Sequence, residues 1–246
     1  GWHWGFGCAG VVMVLGLVIY LSGQRWLPAD NRPSRRTRAE PREKLSRNDW
    51  TCLIYLLILI PVLAISLLTN QEIFNAYLVW GDQHFNLQFM SYTMPSTWLI
   101  TLDATLSFSM LVAVALFWKW WSLKRKEPDE ISKMIIGSFF TIAGGACLFM
   151  AALTQPAGGK IGLFWPFMFH LLNSIGFAHI LPISLALFTK IAPKQITATV
   201  IGLYYLAFFA ANKTVGFVGQ YYDSLPTTTF WLIHIASAAF GLVAFA

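Results

Sequence analysis

Long stretches without a charged residue constrain the fold of this 246-residue sequence more than any other feature. Seven apolar stretches are long enough to cross a bilayer as α-helices, because about 20 apolar residues span a hydrocarbon core ~30 Å thick. The predicted spans are 5–24, 50–78, 97–121, 134–154, 162–189, 195–219 and 227–246. A transmembrane β-barrel would instead show alternating strands of about 10 residues. The sequence therefore predicts an all-α integral membrane protein with seven transmembrane helices.

The composition excludes several other classes of protein. Only 11% of the residues are charged and 57% are hydrophobic, whereas a soluble domain carries about 25% charged residues. The cysteines Cys8, Cys52 and Cys147 lie far apart in apolar runs, which indicates neither a disulfide framework nor a zinc site. Because the sequence contains no nucleophile–base pair, metal-ligand cluster or nucleotide motif, we expect neither an enzyme nor a bound metal or organic cofactor.

The basic residues fall on alternate loops. Fifteen of the seventeen Lys and Arg residues lie in segment 25–47, in the loop after the third span or in the loop after the fifth. Short loops rich in Lys and Arg stay on the cytoplasmic side of a membrane. We therefore expect the first span to enter from outside and the basic linker to be cytoplasmic. The linker is interpreted as a topological signal and not as a nucleic-acid site.

Several motifs resemble those of the proton-dependent oligopeptide transporters. Segment 182–193 reads Pro-Ile-Ser-Leu-Ala-Leu-Phe-Thr-Lys-Ile-Ala-Pro, which matches their Ser-Pro-x-Gly…Thr-Lys-x-Ala-Pro signature. Segment 123–133 is similar to the central loop of their C-terminal half. Segment 202–206, with Asn212 after it, resembles their helix eleven, and segment 1–7 looks like the outer start of their helix six.

This resemblance implies a fold and a function. The family belongs to the major facilitator superfamily, in which two six-helix bundles enclose a site near the midplane. Residues 1–24 would be the last helix of the N-terminal bundle, 25–48 the cytoplasmic linker and 49–246 the C-terminal bundle, so we expect a part of a longer protein, a monomer when complete. The implied function is symport of di- and tripeptides by alternating access in a bacterial cytoplasmic (inner) membrane, with the proton as coupling ion.

Four positions depart from the family pattern. Asn70 stands where helix seven of the family has a Glu tied to proton coupling, and Phe177 replaces the helix-ten Glu that meets a peptide's amino terminus. Asp103 replaces an Asn on helix eight, and Tyr204 replaces a Trp on helix eleven. Two acids are lost and one is gained. A transporter of another small solute and a transport-dead receptor or scaffold therefore remain as alternatives.

Ionisable groups inside the spans are the first candidates for proton coupling, because a charge at mid-bilayer is costly. Asp103 is the carboxylate candidate, and His170, a residue type that titrates near neutral pH, could relay protons with it. The alternatives are a carboxylate held by neighbouring hydroxyls and a neutral histidine hydrogen-bonded between helices. His179 is expected to face away from the cavity, and Glu72 is expected to reach the headgroups.

Polar and aromatic residues recur on single helix faces and predict the walls of the substrate cavity. His170, Asn173 and Phe177 are spaced i, i+3 and i+7, so they share one face of a helix. The predicted helix-seven span carries a similar stripe. The predicted cavity residues are Asn70, Gln71, Asn75, Tyr77, Asn173, Phe177 and Tyr204. Side-chain amides among them are suited to contact the backbone amides of a peptide.

Overall fold

The computed structural model describes residues 2–26, 45–89 and 91–246. Within these ranges seven helices are long and apolar enough to cross a membrane, which confirms the predicted all-α architecture. The chain divides into two units, 1–43 and 44–246. The first contains helix α1 (Trp2–Gly23), which ends in a 3₁₀ turn at Gln24–Trp26. Most of the basic linker predicted at 25–48 lies outside the described residues.

The second unit begins with helix α2 (Arg47–Ser66), whose start is set by a capping box. The Ser46 hydroxyl accepts the Asp49 N–H at 3.1 Å, and the Asp49 carboxylate accepts the Ser46 N–H at 2.8 Å. This reciprocal pair satisfies two backbone donors that a helix start leaves free. The remaining long helices are α5 (Trp98–Ser122), α6 (Glu130–Leu153), α7 (Phe164–Ile191) and α10 (Thr227–Phe245).

The predicted span 50–78 is wrong in its second half, where the helix is broken. Helix α2 is followed by α3 (Leu68–Gln71), a 3₁₀ turn (Glu72–Phe74) and α4 (Ala76–His84). The Glu72 carbonyl accepts the N–H of Asn75, while the Glu72 carboxylate accepts the N–H of Ala76 at 3.0 Å. Because a side chain replaces the backbone acceptor of the helical ladder, the helix is interrupted at Asn75, whose φ and ψ are −129° and −119°.

The span predicted at 195–219 is also interrupted, at Tyr205 between α8 (Thr197–Tyr204) and α9 (Leu206–Gly219). Between α4 and α5 the chain forms a short antiparallel hairpin of β1 (Gln88–Phe89) and β2 (Tyr92–Thr93).

Helices α6 and α7 cross with their backbones in contact. A Cβ added at Gly176 would lie 2.8 Å from the Gly137 carbonyl oxygen and nearer still to the Thr141 hydroxyl. A Cβ at Gly137 would lie 2.8 Å from the His179 Cβ. Small residues at such crossings let transmembrane helices approach closely. Close van der Waals packing matters here because lipid is as apolar as the helix surfaces, so the hydrophobic effect does not drive the helices together.

The aromatic cluster at one end of the bundle positions the candidate site. It joins the start of α7, the start of α10 and the buried face of α4 through buried rings. Its largest fully buried members are Tyr77, Trp80, Phe85, Phe169, Phe230 and Trp231. Because these rings exclude solvent, a polar group among them can find a hydrogen-bond partner only within the bundle. The indole nitrogens of Trp80 and Trp231 have none among the described residues.

Candidate functional site

Asp103 and His170 meet inside the bundle and form a chain of hydrogen bonds with Tyr77. The His170 Nδ1 atom lies 3.0 Å from the Asp103 Oδ1 atom, and its Nε2 atom lies 2.8 Å from the Tyr77 hydroxyl. Three separate helices, α5, α7 and α4, supply the three side chains. His170 and Tyr77 are fully buried, while Asp103 keeps 7% of its surface exposed. The chain therefore has one end near the protein surface.

The proton positions in this chain follow from donor and acceptor chemistry. An ionised Asp103 carboxylate only accepts, so the His170 Nδ1–H donates to it, and Nε2 of the neutral ring accepts the Tyr77 hydroxyl proton. A proton added to Nε2 turns the Tyr77 hydroxyl from donor to acceptor without moving a heavy atom. The arrangement can thus take up one proton, and its net charge then changes from −1 to zero.

The hydroxyl groups near Asp103 have other partners. The Thr105 hydroxyl donates to the Thr101 carbonyl at 2.8 Å, and the Ser107 hydroxyl lies 3.1 Å from that of Ser174. The alternative in which neighbouring hydroxyls hold the Asp103 carboxylate is therefore not what the structure shows. His170 is the partner of this carboxylate.

Glu72 and His234 form a second buried pair, which the sequence analysis did not predict. The Glu72 Oε2 atom lies 3.1 Å from the His234 Nε2 atom, and their side chains are 1% and 0% exposed. The expectation that Glu72 reaches the headgroups is wrong, because the helix break turns its side chain towards α10. The signal was present in the sequence, since both residues are ionisable groups within or next to apolar spans.

The predicted amide residues connect α3 and the break that precedes α4 to α9. The Gln71 amide donates to Asn70 Oδ1 at 3.0 Å and accepts from the Asn212 amide at 3.1 Å. The Asn75 amide donates to the Val215 carbonyl at 3.4 Å. Gln71 and Asn75 are half-buried, so part of each side chain remains open to a ligand.

The structure buries four of the predicted cavity residues inside the bundle: Asn70 keeps 8% of its surface exposed, and three others are almost completely enclosed. Tyr77 is 0% exposed, and Asn173 and Tyr204 are each 1% exposed. Gly144 of α6 packs against the Asn173 backbone. The Tyr77 ring contacts Phe169 and Trp231, and the Tyr204 ring contacts Phe188. The three enclosed side chains therefore differ from the prediction, since they do not form an open cavity wall in this bundle.

Individual contacts explain the enclosed and half-buried positions on α7 and α8. The Tyr204 hydroxyl donates to the Leu181 carbonyl at 3.1 Å and lies 3.0 Å from the Ser184 hydroxyl, beside the proline at position 182. Phe177 is half-buried and packs against a small apolar cluster that includes Ala64 and Leu67. His179 lies on another side of α7, stacked on the Phe140 ring.

An apolar cavity of about 290 Å³ lies next to the Asp103–His170 pair. Leu99 and Leu102 come from the turn that precedes Asp103, and Pro166 and Phe167 from the turn that precedes His170. The other lining residues are Leu87, Met94, Pro95, Trp98 and Leu163. Residues of α5 and α7 that precede Asp103 and His170 thus line this apolar cavity.

Comparisons with known proteins place the chain in a family. Residues 1–212 match the model of the Major Facilitator Superfamily. The chain is 28% identical over 193 residues to the peptide transporter YePEPT of Yersinia enterocolitica subsp. palearctica serotype O:3 (strain YE-P4), which covers 75% of this chain and 37% of that protein.

Two solved structures share the fold. A mutant of the peptide transporter POT in complex with alafosfalin matches with a TM-score of 0.72 and 18% identity, over 97% of this chain and 46% of that one. A POT family transporter in complex with 5-aminolevulinic acid matches with a TM-score of 0.68 and 14% identity, over 98% and 53%.

The chain thus spans about half of the two matched structures and 37% of the Yersinia protein. The resemblance to oligopeptide transporters, predicted from the loop motifs, is confirmed by these relatives, and the chain belongs to the Major Facilitator Superfamily.

Proposed function

We propose that the complete protein is a proton-coupled symporter of di- and tripeptides, which acts as a monomer by alternating access in a bacterial cytoplasmic membrane. The observation that carries this proposal is the hydrogen-bonded chain of Asp103, His170 and Tyr77, which can bind one proton without rearrangement. Membership in a superfamily of transporters and the likeness to a protein named a peptide transporter support it. The basic segment 25–48 would lie on the cytoplasmic side.

Proton binding would act on the transport cycle through charge. With the His170 ring neutral, the buried chain carries the negative charge of Asp103, and a charge in an apolar environment is costly. Protonation of His170 cancels this charge and lowers the cost of closing the bundle around the site. Tyr77 lies two residues after the break at Asn75. Protonation of His170 would therefore change a hydrogen bond at the start of α4.

We propose that the peptide backbone is bound by the side-chain amides of Asn70, Gln71 and Asn75. Gln71 and Asn75 are half-buried and already form hydrogen bonds to α9, while Asn70 accepts a hydrogen bond from Gln71 within α3. An amide group both donates and accepts, which suits the alternating donors and acceptors of a peptide backbone. The apolar cavity next to Asp103 would receive an apolar side chain of the peptide.

The test is uptake of a labelled dipeptide by the full-length protein in proteoliposomes, with and without an inward proton gradient. We expect gradient-driven accumulation in the wild type. Asp103→Asn should lose this accumulation but retain exchange of labelled for unlabelled peptide, since substrate binding needs no net proton movement. Asp223→Asn, which changes an exposed carboxylate in the loop before α10, is the matched control.

Unchanged gradient-driven uptake in Asp103→Asn would contradict the role of this carboxylate. Absence of uptake and exchange by folded, correctly inserted wild-type protein would contradict peptide symport. It would favour another solute or a transport-dead receptor or scaffold.

A same-fold transporter of another small solute is the second candidate, and Phe177 is the observation that favours it. The resemblance assigns this position to an acid that meets a peptide's amino terminus, and the apolar ring cannot do so. A structural neighbour was solved with 5-aminolevulinic acid. Uptake of labelled 5-aminolevulinic acid by protein that does not take up dipeptides would favour this second candidate, whereas gradient-driven dipeptide uptake would favour the first.

A further inference from the structure

We infer that Glu72 and His234 form a second proton-binding site, which holds one proton between the carboxylate and the ring and releases it when α4 moves. The pair joins the turn that precedes α4 to the last helix, α10, with 3.1 Å between Glu72 Oε2 and His234 Nε2. This site is separate from Asp103 and His170. Its role in transport rests on the function proposed above, whereas its ability to bind a proton does not.

The number of protons follows from the hydrogen-bond partners of the pair. His234 Nδ1 lies 2.9 Å from the Phe230 carbonyl oxygen, and a carbonyl only accepts, so Nδ1 carries a hydrogen. Glu72 Oε1 accepts the Ala76 N–H. The remaining contact, between Nε2 and Oε2, needs one proton, which sits on the nitrogen as an ion pair or on the oxygen as a neutral pair. Both forms have no net charge.

Loss of this proton would leave two acceptors facing each other in an apolar surrounding. The Phe230 and Trp231 rings flank the His234 ring, with centroids 4.8 and 5.4 Å away. Neither member of the pair is open to solvent. Since an unpaired buried carboxylate is strongly unfavourable, we expect the proton to leave only when the turn at Glu72 separates from α10.

The elements around the pair bring no other cation to it within the described part of the chain. The hydroxyls of Thr69 and Ser237 donate to the His234 carbonyl, at 3.1 and 2.7 Å, and not to the carboxylate. From α4, the nearest titratable side chain is Tyr77, whose ring faces Trp231 and whose hydroxyl is used by His170.

Among the residues that the structure describes, the other packed helices add one titratable side chain and no charge to these surroundings. Helix α6 contributes Cys147, partly buried in the adjoining aromatic cluster. From α9, the Val215 carbonyl accepts the Asn75 amide, and Lys213 is exposed.

Both proton sites converge on the first two residues of α4. Glu72 accepts the N–H of Ala76, and the hydroxyl of the next residue, Tyr77, contacts His170. The start of this short helix is therefore held on one side by α10 and on the other by α7. The break at Asn75 provides the hinge about which it can turn.

The experiment uses full-length protein in which the native cysteines are replaced and Ala76, a 5%-exposed residue of α4 that is protected while the helix is packed, is changed to Cys. The rate of thiol labelling, corrected for thiolate fraction with a free thiol, is measured as a function of pH. We expect the corrected rate to rise about tenfold as the pH is raised and the pair loses its proton, which corresponds to about 1.4 kcal/mol in the opening equilibrium.

Glu72→Gln keeps both hydrogen bonds but needs no shared, titratable proton. The glutamine amide nitrogen donates to His234 Nε2, and its oxygen accepts the Ala76 N–H. We expect that the corrected labelling rate of this variant no longer rises as the pH is raised. In transport, Glu72→Gln should slow both gradient-driven uptake and exchange, in contrast to Asp103→Asn. Asp223→Asn is again the control and should behave as wild type.

A wild-type pH profile of labelling in Glu72→Gln would overturn the proposal. If this variant does not fold, His234→Gln provides the same test, since its amide satisfies an ionised Glu72 and removes the need for the shared proton. The labelling readout requires no transport. The labelling rate could therefore be measured even if the proposed symport failed. A pH profile that Glu72→Gln leaves unchanged would refute the proton site alone.

Discussion

Asp103 and His170 are 67 positions apart in the sequence, yet the carboxylate oxygen of one lies 3.0 Å from the ring nitrogen of the other. The contact exists because α5 and α7 pack directly against each other. It assigns the Nδ1 side of the ring to the carboxylate and leaves Nε2 for Tyr77. The direction in which a proton can pass along this chain is thus determined by the packing of three helices.

Tyr77→Phe should destabilise the protein and impair proton coupling. The change removes the hydroxyl that contacts His170 Nε2 at 2.8 Å and leaves a buried acceptor unsatisfied. The expected loss of stability is about 1–3 kcal/mol, measured by thermal or denaturant unfolding in detergent. Tyr221→Phe, at an exposed tyrosine, is the control and should be neutral. Equal stability of both variants would show that the Tyr77 hydroxyl makes no net contribution to the free energy of unfolding.

Gly176→Ala should disrupt the crossing of α6 and α7. The added methyl group would lie 2.8 Å from the Gly137 carbonyl oxygen and clash with Thr141. Overpacking of this kind costs about 1–3 kcal/mol, so we expect a lower unfolding temperature and reduced yield of folded protein. Gly216→Ala, where a Cβ would meet nothing within 4 Å, is the comparison and should not lower stability.

The loop between α6 and α7 should loosen at mildly acidic pH. The His84 carbonyl accepts the Ile161 N–H at 2.8 Å, and the His84 Nδ1 atom lies 3.0 Å from the Gln155 amide nitrogen. Burial, and then the charge of Lys160, lower the pKa of His84 from its ordinary value. A neutral Nδ1 accepts the Gln155 N–H, whereas a protonated one would face it with a second hydrogen.

The direction of this pH effect follows from the linkage between proton binding and opening of the loop. Because the pKa of His84 is lower in the folded loop than in the open one, the open form binds more protons as the pH falls below about 6.5. Amide hydrogen exchange at Ile161, corrected for the intrinsic rate, should therefore be less protected at mildly acidic than at neutral pH. His84→Gln should remove this difference, and a pH-dependent protection that persists in the variant would assign it to another group.

Phe177 should weaken the preference for a free peptide amino terminus. The resemblance assigns an acid to this position, and the half-buried Phe177 ring offers the ammonium group no counter-charge. We expect N-acetylated and free dipeptides to compete for uptake within about tenfold of each other, a difference of no more than about 1.4 kcal/mol. Phe177→Leu should retain this indifference, and strong rejection of N-acetylated peptides by the wild type would contradict it.

The number of membrane-capable helices, and the presence of Asp103 and His170 as ionisable groups within apolar spans, could be predicted from the sequence. Hydrophobic length is a local property, and a charge within an apolar run is visible wherever the helix later packs. The same local view predicted one continuous helix through Asn70, Gln71 and Asn75. It missed the break because the Ala76 N–H donates there to a side chain, the Glu72 carboxylate, and not to a backbone carbonyl of the helix.

The partners of these residues were decided by the tertiary structure alone. Glu72 and His234 are 162 positions apart, and they meet because α10 packs beside the broken helix. Tyr77, Asn173 and Tyr204 were predicted to line a cavity, yet neighbouring helices cover them. Periodicity shows which residues share a face of a helix. Which helix covers that face depends on crossings such as that of Gly137 and Gly176, where contacts between distant segments fix the distance between the backbones.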